Sequence, residues 1–325
     1  MKLYWTIHII VFASILFELS GNLKLKQKVI ILWCIFFTLF GGLRWQIGND
    51  WDQYYMHFLH SNWSNIFNYD RYGNNADSLE PGFVFLNVLI KTIFSKFYWY
   101  NLIICGFVQF SYYKFSNEFL PQRPILMYVI LMSTVVYFPV RAGLSVAILI
   151  WSYKYIRDRQ LVPFFVVVLC ASLIHYQCLI MLPMYWAGKI RPNFMTYTIV
   201  YFVISASALI LIDYFTALSL VMGGDLGNKA LNYITNETEN FGQGSTYMGI
   251  LLHYFFLSVF FYIAKKGALK SEEWSYAAIN IFFLYYSFYM TFSNGYGDLA
   301  RLSDVYVAAK HILYITAVNY CLDNK

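Results

Sequence analysis

Long apolar runs recur along the whole of this chain, near 4–23, 28–43, 97–117, 124–140, 142–157, 161–175, 196–213, 247–264, 274–292 and 300–320. At 1.5 Å of rise per residue, about 20 such residues cross the roughly 30 Å of hydrocarbon in a bilayer. A repeated pattern of this kind sets the first expectation: an all-α, polytopic transmembrane helix bundle of about 10–12 membrane segments. The whole of 1–325 then reads as a single integral membrane domain. Two apolar pieces, 82–95 and 177–187, are short for a crossing and are expected to be short or re-entrant helices.

The balance of charge agrees. Only 12% of residues are charged, against about 25% in a soluble domain. One signal peptide or one anchor would not skew the average along the whole length, and 4–23 is too long and too weakly basic at its start for a cleaved leader. The net charge of +6 does not point to nucleic acid, because the basic residues sit in short loops between apolar runs instead of on one polar surface. Cys34, Cys105, Cys170, Cys178 and Cys321 show no C-x-x-C spacing and read as small buried hydrophobes, with no disulfide or zinc implied.

Orientation follows from the basic clusters, which membrane proteins keep on the cytoplasmic side. They are Lys24, Lys26 and Lys28; Lys114 and Arg123; Lys154, Arg157 and Arg159; Lys189 and Arg191; and Lys265, Lys266 and Lys270. All five lie on one face only if 82–95 does not cross and 177–187 completes a return crossing. Lys91 and Lys96 then sit near the outer face, mildly against the pattern. Two long loops, at about 44–81 and 214–246, fall outside, and both are poor in positive charge. The N-terminus is expected outside and the C-terminus in the cytoplasm. No G-x-G-x-x-G or G-x-x-x-x-G-K-[ST] occurs, so nucleotide-driven chemistry has no anchor.

This topology brings Arg44, Arg141, His175 and Arg301 to one outer level. An arginine at a membrane boundary commonly snorkels to headgroups, and Asp298 and Asp304 lie at helical spacing from Arg301, offering it an internal ion pair. Three arginines on the face that should be depleted of them suggest a second reading. Guanidinium forks bind phosphate oxygens bidentately and keep their charge when partly desolvated. Gly48-Asn49-Asp50 reads as a tight turn leading to an Asp-capped helix, or as a carboxylate beside Arg44. Asp50-Trp51-Asp52 is a literal D-x-D, a pattern too short to carry a metal site by itself. Histidine as a residue type titrates near neutrality, so His175 is either a packing residue or a base for a sugar hydroxyl. Lys310 and His311 fall midway through the last apolar run and are expected to face a bundle interior.

Gly42-Leu43-Arg44, Gly48-Asn49-Asp50, Tyr54-Tyr55, Glu80-Pro81-Gly82-Phe83, Arg141-Ala142-Gly143 and Ala171-Ser172-Leu173-Ile174-His175-Tyr176 occur in this order. Together with Arg301 opening the last helix, the set resembles the EpsG-like and Wzy-type polymerases of bacterial surface polysaccharide (O-antigen, capsule or exopolysaccharide). Ala142 stands where that family commonly has Gln. The resemblance implies a glycosyltransferase in the bacterial cytoplasmic (inner) membrane that joins undecaprenyl-diphosphate-linked repeat units at the outer face. It would use no cofactor and no metal. It implies diphosphate binding by Arg44, Arg141 and Arg301, with Asp50 and His175 competing as base, and membrane lipid, a flippase and a chain-length regulator as partners. A related O-antigen ligase would use the same arginines. A transporter or flippase would show internal repeats, and none stands out.

Overall fold

The computed structural model describes residues 2–48, 50–70, 79–134, 140–207, 247–269, 271–292 and 301–323. The whole of the expected outer loop at 214–246 therefore lies outside the described residues, as do Asn49 and Lys270. The described residues are helical and contain no β-strand. They divide into two compact units, Met1–Leu182 and Pro183–Lys325.

Unit 1 contains α1 (Lys2–Ala13), a 3-10 helix (Ser14–Leu19), α2 (Leu23–Gly42), α3 (Trp51–His60), α4 (Pro81–Ile93), α5 (Phe97–Phe119), α6 (Pro124–Thr134), α7 (Arg141–Leu149), α8 (Ser152–Arg157) and α9 (Leu161–Ile174). Local sequence starts and stops these helices. Asn22 caps α2, its side chain accepting from the amides of Lys24 at 3.0 Å and Leu25 at 3.2 Å. Pro81 opens α4, where its missing N–H costs nothing. His175 turns the chain to an extended conformation after α9.

The central contact of unit 1 is α2 along α5. The approach is tight at Gly42, where an added Cβ would stand 2.7 Å from the Leu102 Cα. The α7 and α8 helices lie against α9. Basic residues of unit 1 are paired near one end of these helices. The Lys26 ammonium, at the start of α2, pairs with Glu18 at 2.9 Å and donates to the Gln122 carbonyl at 2.7 Å. Glu118, at the end of α5, pairs with Lys154 and Arg157 of α8. Arg44, Tyr100, Arg141 and His175 occupy the opposite ends of α2, α5, α7 and α9.

The segment 82–95 forms α4, whose 13 residues reach only about 20 Å. Lys91 in its last turn donates to the Leu59 and Ser61 carbonyls at the end of α3. That tie gives this cation a structural partner. The segment 177–187 lies within a 3-10 helix, Tyr176–Lys189.

Unit 2 contains the rest of that 3-10 helix, α10 (Phe194–Ser207), α11 (Tyr247–Lys265), α12 (Glu272–Phe292), a 3-10 turn (Arg301–Tyr306) and α13 (Val307–Asp323). The α12 helix touches α11, α13 and the 3-10 turn. Asn280 of α12 donates to the carbonyls of Ala187 at 2.7 Å and Ile190 at 2.8 Å, and accepts from the Tyr197 hydroxyl at 2.6 Å. Nearer the middle, the rings of Tyr201 and Tyr286 stack at 4.3 Å. As expected, His311 is buried, at 1% exposure, and neither ring nitrogen has a hydrogen-bond partner among the described residues.

Among the described helices, Met248–Lys265 and Leu302–Leu322 are both long and apolar enough to cross a bilayer. Trp5–Leu19, Pro81–Ile93, Leu161–Ile174 and Phe194–Ser207 are apolar but shorter. The first of the long helices shows Met248, Leu251, Leu252 and Phe255 on its exposed side, and α9 likewise shows Val162, Val166, Leu169 and Leu173. Such faces suit a hydrocarbon solvent and are poorly tolerated in water. All five cysteines are free. Cys105 and Cys178 are buried as expected and Cys34 is half-buried. Cys170 and Cys321 are exposed, a correction to the expectation, because they fall on outward faces of their helices.

Candidate functional site

The site at the end of unit 1 is assembled by a glycine. At Gly82, in the first turn of α4, an added Cβ would meet the Leu173 Cβ at 2.6 Å and the Leu173 carbonyl oxygen at 2.7 Å. With no side chain there, α4 begins directly against the last turn of α9. The residue before the helix, Glu80, is thereby brought to His175, the residue after α9.

Glu80 uses both carboxylate oxygens. Oε1 lies 2.8 Å from Nδ1 of His175 and accepts from the Tyr176 amide at 3.3 Å. Oε2 accepts from Nη1 of Arg141 at 3.0 Å. Its side chain is 5% exposed, while those of Arg141 and His175 are 18% and 21% exposed. A buried acid thus stands behind two groups that remain open to a ligand. Burial pushes the Glu80 carboxyl up, but the hydrogen bond from His175 and the charge of Arg141 outweigh it and leave it below the ordinary carboxylate value. With Nδ1 engaged by a carboxylate, Nε2 of His175 is the nitrogen available to substrate. The remaining Arg141 donors have no partner among the described residues.

Arg44 lies at the same end, 7% exposed, just beyond α2. Burial lowers its guanidinium from the ordinary value, offset in part by Cys105, Tyr54 and Asp50, and arginine keeps its charge under such a shift. Tyr100 of α5 lies within electrostatic reach of both Arg44 and Arg141. Its hydroxyl is buried without a hydrogen-bond partner among the described residues. The two arginines therefore share a neighbour, although they come from sequence positions nearly 100 residues apart.

Asp50 occupies the N-cap position of α3, but its side chain makes no capping hydrogen bond. Here the structure corrects the expectation of an Asp-capped helix. The backbone at Asp50 has φ −106° and ψ 6°, away from the extended conformation that aims a capping oxygen at the first-turn amides. Just before it, Gly48 has φ 100°, a conformation that favours glycine. Asp50 is exposed and stands near Arg44. Arg301 opens the 3-10 turn of unit 2, and its side chain lies outside the described residues.

The residue that sequence reasoning missed is Glu80. The sequence reading gives it no role of its own, although it opens the Glu80-Pro81-Gly82-Phe83 stretch that carries part of the family resemblance. The available signal was that stretch itself: an acid fixed before a helix-starting proline and a glycine.

The family model for EpsG matches residues 27–325. The chain belongs to the EpsG family. No curated protein and no solved structure matches it. Family membership and the apolar helices make this EpsG-family chain a membrane protein of polysaccharide biosynthesis. The matched span contains Arg44, Asp50, Glu80, Arg141, His175 and Arg301.

Proposed function

We propose that this EpsG-family protein is a polymerase joining undecaprenyl-diphosphate-linked repeat units at the outer face of the cytoplasmic membrane. The observation that carries the reading is the Glu80 carboxylate holding Arg141 on one oxygen and His175 on the other. A hydroxyl of the acceptor saccharide attacks the anomeric carbon of the donor glycan. The bond from that carbon to the diphosphate oxygen breaks, and undecaprenyl diphosphate leaves with the electron pair. Nε2 of His175 takes the hydroxyl proton, while Glu80 holds the ring and stabilises the imidazolium that forms. Arg141 and Arg44 bind the diphosphate, whose developing charge requires fixed cations. Asp50, beside Arg44, orients the acceptor. His175 is favoured over Asp50 as base because a buried carboxylate holds its imidazole in place, whereas Asp50 is exposed.

The topology proposed with this reading has about 10–12 segments, a non-crossing α4 and an inward C-terminus. The 3-10 winding of Tyr176–Lys189 supports it: 14 residues at about 2.0 Å each reach roughly 28 Å, close to a bilayer's hydrocarbon. Cysteines introduced at Asn75 and Thr235 should both react with an impermeant maleimide from outside intact cells. Reaction of one alone breaks the topology.

The chemistry is tested by Arg141→Lys, which keeps the charge and removes the fork. The expected result is loss of the long rungs of the polysaccharide ladder, with protein abundance unchanged. Full-length polymer from the lysine variant would rule out bidentate phosphate binding.

A further inference from the structure

Unit 2 holds a second polar cluster that the reaction above does not use. Lys310 of α13 donates to the Tyr285 hydroxyl at 2.9 Å, and its nitrogen lies 4.4 Å from the centre of that ring. Tyr285 and Tyr289, one helical turn apart on α12, hold their rings within 8° of parallel at 6.1 Å. The ring of His253, from α11, lies 6.1 Å from Tyr289 and 5.0 Å from Tyr286. Asp304, exposed on the 3-10 turn, is within electrostatic reach of Lys310 and Tyr285. Three helices thus converge on one polar, aromatic-walled place inside an apolar unit.

The cluster is incompletely paired. An ammonium has three donors, and among the described residues Lys310 uses one, on a neutral phenol. The Tyr289 hydroxyl has no hydrogen-bond partner among the described residues. His253 engages the Gly249 carbonyl at 2.7 Å through Nδ1, which leaves Nε2 as an acceptor without a partner there. Lys310, Tyr289 and His253 are only half-buried, so a ligand has access to them. Ionisable groups are costly inside a membrane bundle and are normally retained for a ligand or a transport path.

The mixture of groups selects the ligand class. A phosphate accepts hydrogen bonds and is repelled by a carboxylate, whereas this cluster offers donors and acceptors together with Asp304 beside the cation. A polyhydroxylated ring satisfies both kinds of partner and lays its apolar C–H face on aromatic rings. We infer that Lys310, Tyr285, Tyr289, His253 and Asp304 form a saccharide subsite of unit 2, which holds a sugar of a lipid-linked repeat unit. The inference rests on the polymerase reading for the identity of the sugar.

The test uses the full-length protein in detergent and two probes. One is the repeat-unit oligosaccharide released by mild acid from the lipid carrier of the expressing strain, free of phosphate and prenyl chain. The other is inorganic pyrophosphate. Calorimetric titration should show that Lys310→Met and Tyr289→Ala, melting as the wild type does, bind the oligosaccharide at least tenfold more weakly, with pyrophosphate binding unchanged. Oligosaccharide affinity equal to wild type in both variants overturns the subsite, as does a wild-type protein that does not bind the oligosaccharide. Loss of pyrophosphate binding instead of oligosaccharide binding in Lys310→Met also overturns it, in favour of an anion site. A wild-type protein that binds oligosaccharide but not pyrophosphate counts against the unit 1 mechanism and leaves the subsite standing.

Discussion

Two glutamates of unit 1 each hold two basic groups, at opposite ends of the same helices. Glu118 pairs with Arg157 and, at 3.6 Å, with Lys154, and its side chain is 37% exposed. Glu80 pairs with Arg141 and His175 and is 5% exposed. At the first end water screens the charges, and long side chains give up rotamer freedom to meet, so the pairing is worth little. At the second, water is largely excluded. There, one ion pair to Arg141 and one hydrogen bond from His175 fix geometry and leave outward-facing donors and a ring nitrogen in place. Counting contacts alone would rank these ends equal, and burial separates them.

The largest effect that can break this comparison is expected at the buried end. Glu80→Ala leaves Arg141 partly buried without its carboxylate, and breaking a buried pair from one side typically costs about 3–5 kcal/mol. Its expected phenotype is a lowered melting temperature together with a fall in polymer of about 100-fold or more, the scale of a lost general base. Near-normal ladders and melting in this variant would show that the Glu80 contacts are incidental.

A pH titration sharpens the contrast. The folded carboxyl of Glu80 lies below its ordinary value of 4.5, so its contribution to stability is fully present above about that pH. It is lost as pH falls through the lower folded value, because the unfolded chain then binds the proton more readily. Melting temperature followed from pH 6 downward should decline in the wild type below about 4.5, the ordinary carboxylate value that folding lowers. The decline should be shallower in Glu80→Gln, and identical slopes would remove Glu80 from the account.

The smallest effect belongs to the exposed end. Glu118→Gln should change stability by less than about 1 kcal/mol and leave the ladder intact. A larger loss would mean that Lys154 and Arg157 are held more tightly than their exposure implies.

The helical class was legible because long apolar runs admit little else once a chain is rich enough in them. The α2 and α5 helices follow their runs closely, and Arg141 and His175 stand at the edges of the apolar runs 142–157 and 161–175, at a helix start and just past a helix end. Glu80 was not legible, because an acid in an acid-rich loop looks solvated until a tertiary contact buries it. Asp50 shows the reverse: its sequence looks like a cap, but backbone torsion, which composition does not report, decides whether the carboxylate reaches the amides. The run 177–187 was read as short by counting residues at an α-helical rise, and its 3-10 winding gives the same residues more reach.

Gly82 carries no chemistry, yet the meeting of Glu80 with His175 depends on its having no side chain. A genetic screen for lost polysaccharide would therefore return substitutions at a residue with no functional group, scattered among those at charged ones. Sorted by chemical type alone, such alleles would be set aside as structural noise. Sorted by their distance from Leu173, they would mark the joint at which Glu80 and His175 are brought together.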